Sequence, residues 1–353
     1  MNPARVVKVD PVNPDEKSLQ QAAGILKSGG LLIMPTETVY GIAANILDSK
    51  AIDRLYAIKQ RPRSKPFSLH IASKESVETF AKDIPVVAYK LMHRYWPGPL
   101  TLILKSKDQG TIGLRLPDNE IARRIIDLSG VTVACPSANI SCKRPPTNFR
   151  EAINDLGSQV DFAIDAGETR LKAESTIVDV TTSPPRVLRE GWLKTSAIEE
   201  VVKSKTVLFI CTGNSCRSVM AETLLKKALK IKNKTNVEVI SAGVSATVGM
   251  GATEEVRELL RQEGIDVSGH RARQVTKEMI DRSDIILVMD MVHEQRIMLL
   301  APEAKNRLFL LKEFAKITDS ELSISDPIGS TMDFYGKILS VIKDAVERIA
   351  EIL

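Results

Sequence analysis

The sequence predicts an α/β chain of two domains. The first, over 1–192, is a mixed α/β domain with a twisted sheet. A linker follows over 193–204. The second domain, over 205–353, is built on a four-stranded parallel sheet. Three observations carry this reading. The chain has 353 residues, roughly twice the usual domain length, so each half can bury a core of its own. Its back half alternates short apolar runs with amphipathic stretches, the pattern of strands joined by crossover helices. Its front half ends in a succession of strand-like runs without long helices between them, so it is not simply doubly wound.

In the front half a helix is predicted over 18–27, stopped by Gly29-Gly30. A buried strand over 31–34 ends at Pro35. Helices follow over 50–58 and 86–95, the latter stopped by Pro97-Gly98. Strands are predicted over 67–71, 100–104, 111–116, 131–134, 162–165, 176–180 and 186–189. The polar stretch 192–205 is helix-prone and reads as the linker. In the back half the strands are 207–210, 237–241, 285–289 and 308–311. Helices over 218–230, 252–263, 276–282, 292–300 and 335–352 fill the gaps. A site in such a sheet belongs at the carboxyl ends of its strands.

Composition narrows the class. Hydrophobic residues at 43% and charged residues at 26% describe an ordinary folded protein. No apolar run approaches the ~18–20 residues of a membrane span, and the first residues lack the apolar centre of a secretory signal. Four cysteines are too few for a disulfide scaffold in this length, so a reducing cytoplasm is the expected setting. The net charge of +5 is concentrated in front: residues 1–200 hold 27 basic and 23 acidic side chains, and 201–353 hold 22 and 21. This excess is compatible with an anionic small molecule or a nucleic acid and singles out neither. The four histidines, His70, His93, His270 and His293, show no ligand spacing, so no structural metal is expected.

The strongest local signal is Cys211-Thr212-Gly213-Asn214-Ser215-Cys216-Arg217-Ser218. It joins an apolar strand to a helix whose Met220, Ala221, Leu224, Leu225, Ala228 and Leu229 form one stripe. A strand–loop–helix turn of this kind aims backbone N–H groups and a helix dipole at one point. Negative charge on a cysteine sulfur is favoured there. Arg217 can fork two phosphate oxygens. Phosphoester cleavage also needs an acid for the leaving group, and Asp326-Pro327 stands in a loop before the last helix. These residues, with Ser241-Ala242-Gly243, 270–273 and 284–290 in order, resemble the low-molecular-weight protein tyrosine phosphatase family over about 205–353. The resemblance implies a Rossmann-like domain. Cys211 would be the nucleophile forming a phosphocysteine, Arg217 the phosphoryl clamp, and Asp326 the general acid and then base. Asn214 and Ser218 would brace the loop. Val219 stands where the family commonly has proline. Cys216 would either form a reversible disulfide with Cys211 or simply pack the loop. Ile328 after Asp326-Pro327, and Ser215 where related phosphoarginine phosphatases carry threonine, point away from a dedicated phosphotyrosine slot. The resemblance implies a phosphoprotein substrate carrying phosphotyrosine or phosphoarginine.

In the front half, Pro35-Thr36-Glu37-Thr38-Val39-Tyr40-Gly41 sets hydroxyls and a glycine at a strand's end. Lys59, Arg61, Arg63 and Lys65 then put four cations on a proline-stiffened loop, which suits a polyphosphate. Arg115 sits alone in an apolar strand and needs an anion, from the core or from a substrate. Pro136-Ser137-Ala138-Asn139-Ile140-Ser141 again places polar groups at a strand's end. Together with Trp96-Pro97-Gly98-Pro99-Leu100-Thr101, these resemble the threonylcarbamoyl-adenylate synthase family over about 10–192. The resemblance implies L-threonine, bicarbonate and ATP as substrates, the ATP normally with Mg2+. The product would serve N6-threonylcarbamoyl modification of adenosine 37 in tRNA, through a downstream threonylcarbamoyl transferase. It assigns Thr36, His70, Arg115, Ser137 and Ser175 to threonine, and Lys59, Arg61, Arg63, Asn139, Arg144 and Arg189 to ATP. Cys142 stands where the family usually has glycine. A non-catalytic RNA-binding or regulatory module is the other reading of one half. Aromatics at 4% and the lack of a stacking motif disfavour RNA binding by that route.

Overall fold

The computed structural model describes residues 4–141, 143–318 and 321–353; Cys142 therefore lies outside the described residues. The chain divides into two compact units between Val202 and Lys203.

The front unit holds a mixed sheet of strands β1 (Arg5–Lys8), β2 (Leu32–Met34), β3 (Gly41–Asn45), β4 (Leu69–His70), β5 (Leu100–Lys105), β6 (Thr111–Arg115), β7 (Val133–Ala134), β8 (Phe162–Asp165), β9 (Thr176–Asp179) and β10 (Arg186–Arg189). Their order is β1-β8-β2-β3-β7-β4-β6-β5-β9-β10. Alternation along the strands sorts side chains to two faces. Leu31, Ile33, Ile42 and Ala44 enter one core, while Leu32, Met34 and Ala43 enter the other. Helices Ser49–Lys59 and Val86–Tyr95 cover the first face, and Glu16–Lys27 and Glu120–Ser129 the second. Local chemistry sets their ends. Asp15, Asp48 and Asn119 accept backbone N–H groups at N-caps. The helix carrying Lys59 stops at Gln60, which turns left-handed at φ 48°.

Strands β1 and β3 and the helices Glu120–Ser129 and Phe149–Leu156 are additions to the sequence reading. The segment read as a linker holds a helix, Thr195–Lys203. Leu193 and Ile198 are buried in the front core, because the polar stretch carries just enough apolar spacing to dock.

The back unit is a parallel sheet, β11 (Lys205–Cys211), β12 (Val237–Gly243), β13 (Ile285–Val288) and β14 (Leu308–Leu310), in the order β12-β11-β13-β14. Val207, Phe209 and Cys211 face helices Arg217–Ile231 and Met332–Ile352. Leu208 and Ile210 face Lys277–Asp281 and Met291–Leu300. The strand order reverses beside β11, so Cys211 at its carboxyl end stands at the mouth of the fold.

Candidate active sites

The front unit holds a partly open cavity of about 120 Å³ at the carboxyl ends of β2 and β4 and around Arg115 of β6. Thr36, Lys59, Arg61, His70, Arg115, Ser137, Ser175 and Arg189 all line it. Arg63, Asn139 and Arg144 are not among the lining residues. Arg63 is exposed, pairs with Asp53 and lies over the Tyr56 ring. Arg144 is exposed. Asn139 is buried behind Lys59, whose Nζ donates to the carbonyls of Ser137 at 2.6 Å and Asn139 at 2.5 Å and to Asn139 Oδ1 at 3.2 Å. Ser141 donates to the Lys59 carbonyl at 2.6 Å. The loop 136–141 is thus strapped to the end of the helix carrying Lys59. Gly41 lets this loop approach: a Cβ there would lie 2.4 Å from Cys135 Sγ.

Arg115 lines the cavity, and behind it lies a buried ion pair with Glu37, which is not among the lining residues. Arg115 Nη2 donates to Glu37 Oε1 at 2.8 Å and to Thr38 Oγ1 at 2.6 Å. Glu37 Oε2, Arg115 Nε and His70 Nδ1 are buried with no hydrogen-bond partner among the described residues. Burial, then Arg115, holds His70 well below its ordinary value, so the imidazole is neutral. Buried polar groups usually find a partner in protein, ordered water or a bound ligand, and these three atoms are free to take one of the latter two. At the rim, Arg189 pairs with Glu174 and donates to the Ser175 carbonyl at 2.9 and 3.1 Å. Ser175 Oγ is 2.9 Å from Thr101 Oγ1. Glu37 was missed as a site residue. The signal was an acid between two threonines directly after a buried strand. Cys135 also lines the cavity, but burial pushes its thiol up to about 12, so it is not a ready nucleophile.

In the back unit the Cys211 loop wraps its own sulfur. Asn214 N–H donates to Cys211 Sγ at 3.3 Å, and Ser218 Oγ lies 3.0 Å from it. Asn214 holds the loop in a left-handed turn, φ 53°. Its Nδ2 donates to Ser218 and Ser241 at 3.0 and 2.8 Å, and its Oδ1 accepts from Arg273 N at 3.0 Å. His270 Nε2 donates to the Asn214 carbonyl at 2.7 Å. A Cβ on Gly243 would lie 2.4 Å from the Thr212 carbonyl, so only glycine lets the loop pass. Arg217 opens the helix behind the loop. Its Nη1 donates to Asp290 Oδ2 at 3.1 Å and the Ile324 carbonyl at 2.8 Å. Its Nη2 donates to Asp326 Oδ2 at 2.5 Å and Thr212 Oγ1 at 3.3 Å. The fold therefore brings Cys211, Arg217 and Asp326 together from positions up to 115 residues apart. Cys216 is buried, with Thr253 Oγ1 at 3.6 Å and Tyr335 OH at 3.9 Å. Burial pushes its thiol up, and it is a free thiol, as are Cys135 and Cys211. Asp290 and His293, which the sequence reading gave no role, complete the surroundings of Arg217. An aspartate just before an amphipathic run, the N-cap pattern, was the available signal.

Two enzyme-type α/β units are thus joined in one chain, one with a cation-lined polar cavity and one with a cysteine in a phosphate-binding loop. The model of the Sua5/YciO/YrdC family, described as telomere recombination, matches residues 24–191. The model described as low molecular weight phosphotyrosine protein phosphatase matches 206–353. The chain belongs to both of these enzyme families, its front half to the first and its back half to the second. It is 43% identical over 197 residues to a threonylcarbamoyl-AMP synthase of Pyrococcus abyssi, covering 53% of this chain and 58% of that protein. It thus spans little more than half of that relative's length. It is 39% identical over 145 residues to a protein-arginine-phosphatase of Geobacillus stearothermophilus, covering 41% of this chain and 93% of that one. A crystal structure of P. abyssi Sua5 complexed with L-threonine is similar at a TM-score of 0.54 and 25% identity, over 97% of this chain and 98% of that one. Among the described residues, no helix is long and apolar enough to cross a membrane, and no group of three or more His, Cys, Asp or Glu is placed to hold a metal.

Proposed function

We propose that the chain is a bifunctional cytoplasmic enzyme. Its front unit makes L-threonylcarbamoyl-AMP from L-threonine, bicarbonate and ATP. Its back unit hydrolyses phosphoarginine on proteins. The observation that carries the reading is the contrast between the two centres. The front cavity offers cations and unpartnered polar atoms around a neutral His70, with no ready nucleophile. The back centre offers a sulfur nucleophile, an arginine fork and a carboxyl group.

In the front unit, bicarbonate and the threonine amine form a carbamate and release water. The carbamate oxygen then attacks the α-phosphorus of ATP, and pyrophosphate leaves with the broken P–O bond. This needs positioning and charge neutralisation more than covalent help. Arg115 and His70 present donors and acceptors for the amino acid, and Lys59, Arg61 and Arg189 face the nucleotide. Magnesium arrives as part of the nucleotide substrate. The mixed anhydride then passes its threonylcarbamoyl group to the amine of tRNA adenosine 37 through a separate transferase, and AMP is the leaving group.

In the back unit the Cys211 sulfur attacks phosphorus and the P–N bond breaks. Asp326 gives its proton to the departing guanidine nitrogen. Water, losing a proton to Asp326, then attacks the phosphocysteine and releases phosphate. Phosphoarginine is favoured over phosphotyrosine by three observations. Ser215 is a small, buried residue of the loop, with its hydroxyl 3.7 Å from Cys216 Sγ. Ile328 offers no aromatic wall and is 57% exposed. Asp326 can pair with a guanidinium. The relative's name, protein-arginine-phosphatase, supports this choice. The test is kcat/KM for both phosphoamino acids, in wild type and in Ser215→Ile. Phosphoarginine should be cleaved at least as efficiently, and the added bulk should penalise it selectively. A tenfold preference for phosphotyrosine by the wild type would return the assignment to a tyrosine phosphatase.

A further inference from the structure

The phosphatase mechanism uses Cys211, Arg217 and Asp326 and leaves a buried histidine unexplained. His293 is 1% exposed and lies on the helix Met291–Leu300, capped by Asp290. Its Nε2 is 2.9 Å from Thr212 Oγ1, the second residue of the phosphate loop. Thr212 Oγ1 accepts from Arg217 Nη2 at 3.3 Å. Arg217 Nη1 donates to Asp290 Oδ2 at 3.1 Å. Asp290 Oδ1 lies 3.0 Å from His293 Nδ1, out of line for a hydrogen bond but close enough for strong attraction. Four side chains from two segments, 212–217 and 290–293, therefore close a ring through the guanidinium.

The ring fixes the proton positions. Burial, then Arg217, favours the neutral imidazole, against the pull of Asp290 and Asp326, and the net direction is down. The single ring proton belongs on Nδ1, facing the Asp290 carboxylate; a bare lone pair there would be repelled. Nε2 is then an acceptor, and the Thr212 hydroxyl must donate to it. That leaves the oxygen lone pairs of Thr212 for Arg217 Nη2. With the opposite tautomer, Thr212 Oγ1 would spend both lone pairs on Nε2–H and Arg217 Nη2, its own proton would lose the ring as acceptor, and Nδ1 would turn a bare lone pair toward the Asp290 carboxylate.

We propose that His293 is a positioning residue for the phosphate clamp: by accepting the Thr212 hydroxyl proton it holds that hydroxyl as an acceptor for Arg217 and keeps the guanidinium fork facing the phosphoryl site. The proposal rests on the phosphatase reading of the back unit. A plain packing role is the competing explanation, and it makes different demands. Packing needs the ring's volume; positioning needs an acceptor at Nε2.

The full chain is assayed with 4-nitrophenyl phosphate, with inorganic phosphate as competitive inhibitor. His293→Phe keeps a buried ring and removes both nitrogens. It should raise the phosphate inhibition constant and lower kcat/KM, each by about tenfold, the scale of one lost hydrogen bond. His293→Gln, which can present an acceptor near the Nε2 position, should stay within about threefold of wild type. Thr212→Val should raise the inhibition constant likewise, and the double variant Thr212→Val/His293→Phe should be no worse than either single one. The proposal is overturned if His293→Phe lowers Tm but leaves phosphate inhibition within twofold, if Gln behaves like Phe, or if the two substitutions multiply. Should His293→Phe not fold, an unchanged inhibition constant in Thr212→Val overturns it equally. Wild type without turnover, or Cys211→Ser with it, would instead defeat the phosphatase reading itself.

Discussion

Replacing Glu37 by alanine should unfold the front unit at a markedly lower temperature. Glu37 is 2% exposed and Arg115 4%, and their 2.8 Å contact is the only carboxylate contact among the ion pairs described for Arg115. Removing one partner of such a pair leaves the other charge buried and costs about 3–5 kcal/mol. For a unit of this size each kcal/mol shifts Tm by roughly 2–4 °C, so a fall of about 10 °C is expected. Glu37→Gln keeps an acceptor for Arg115 Nη2 and loses only the charge; it should fall about half as far. Tryptophan fluorescence reads this unit alone, because both tryptophans, Trp96 and Trp192, precede Val202. Melting the full chain by that signal therefore isolates the effect. A shift under about 2 °C for alanine, or equal shifts for alanine and glutamine, would refute the account of Arg115 and Glu37 as a charge-compensated buried pair.

Three further outcomes follow from the same geometry. Asp326→Asn should slow hydrolysis most for poor leaving groups and least for nitrophenolate, since only the former need the proton; equal slowing across a leaving-group series would remove Asp326 as the acid. Stability of the front unit should fall as pH drops below about 6.5, the ordinary value for His70. There the unfolded chain binds a proton that the buried ring refuses, a loss of at most about 1.4 kcal/mol per pH unit. His70→Gln should flatten that slope in tryptophan-detected melts, and an unchanged slope would exclude His70 as its source. We place the domain boundary after the helix Thr195–Lys203, so a cut at 203/204 should leave two fragments with cooperative melts, whereas a cut at 193/194 should destabilise the front fragment by removing Ile198 from its core. Equal stability of the front fragments from both cuts would count against that boundary.

The sequence carried the back unit most clearly. Its strands alternate with amphipathic helices, and Cys211 to Ser218 is one continuous loop, so local pattern and site coincide. The front unit was less legible because its sheet is assembled out of sequence order. β3, Gly41–Asn45, is rich in alanine and has Ile42 as its single branched residue, a weak strand signal. β1 is an edge strand with little of its surface buried. Arg115 announced that it needed an anion, but nothing in spacing alone chose Glu37, 78 positions away. Cation-rich loops misled in the other direction. Arg61 lines the cavity while Arg63, two residues on, turns outward to Asp53, because the loop leaves the helix through the left-handed Gln60. His293 showed no ligand spacing because its partners come from the phosphate loop and its own helix cap.

The central claim is that one chain carries two independent chemistries. The direct measurement is pyrophosphate release from ATP, dependent on threonine and bicarbonate, alongside phosphoarginine hydrolysis, in wild type, Lys59→Ala and Cys211→Ser full-length protein. Lys59→Ala should cut pyrophosphate release by about 10²-fold or more, because a cation facing the departing pyrophosphate is lost, and leave hydrolysis intact. Cys211→Ser should abolish hydrolysis, still bind inorganic phosphate through the loop amides and Arg217, and release pyrophosphate at the wild-type rate. A wild type lacking either activity, or a single substitution that removes both, would contradict the account.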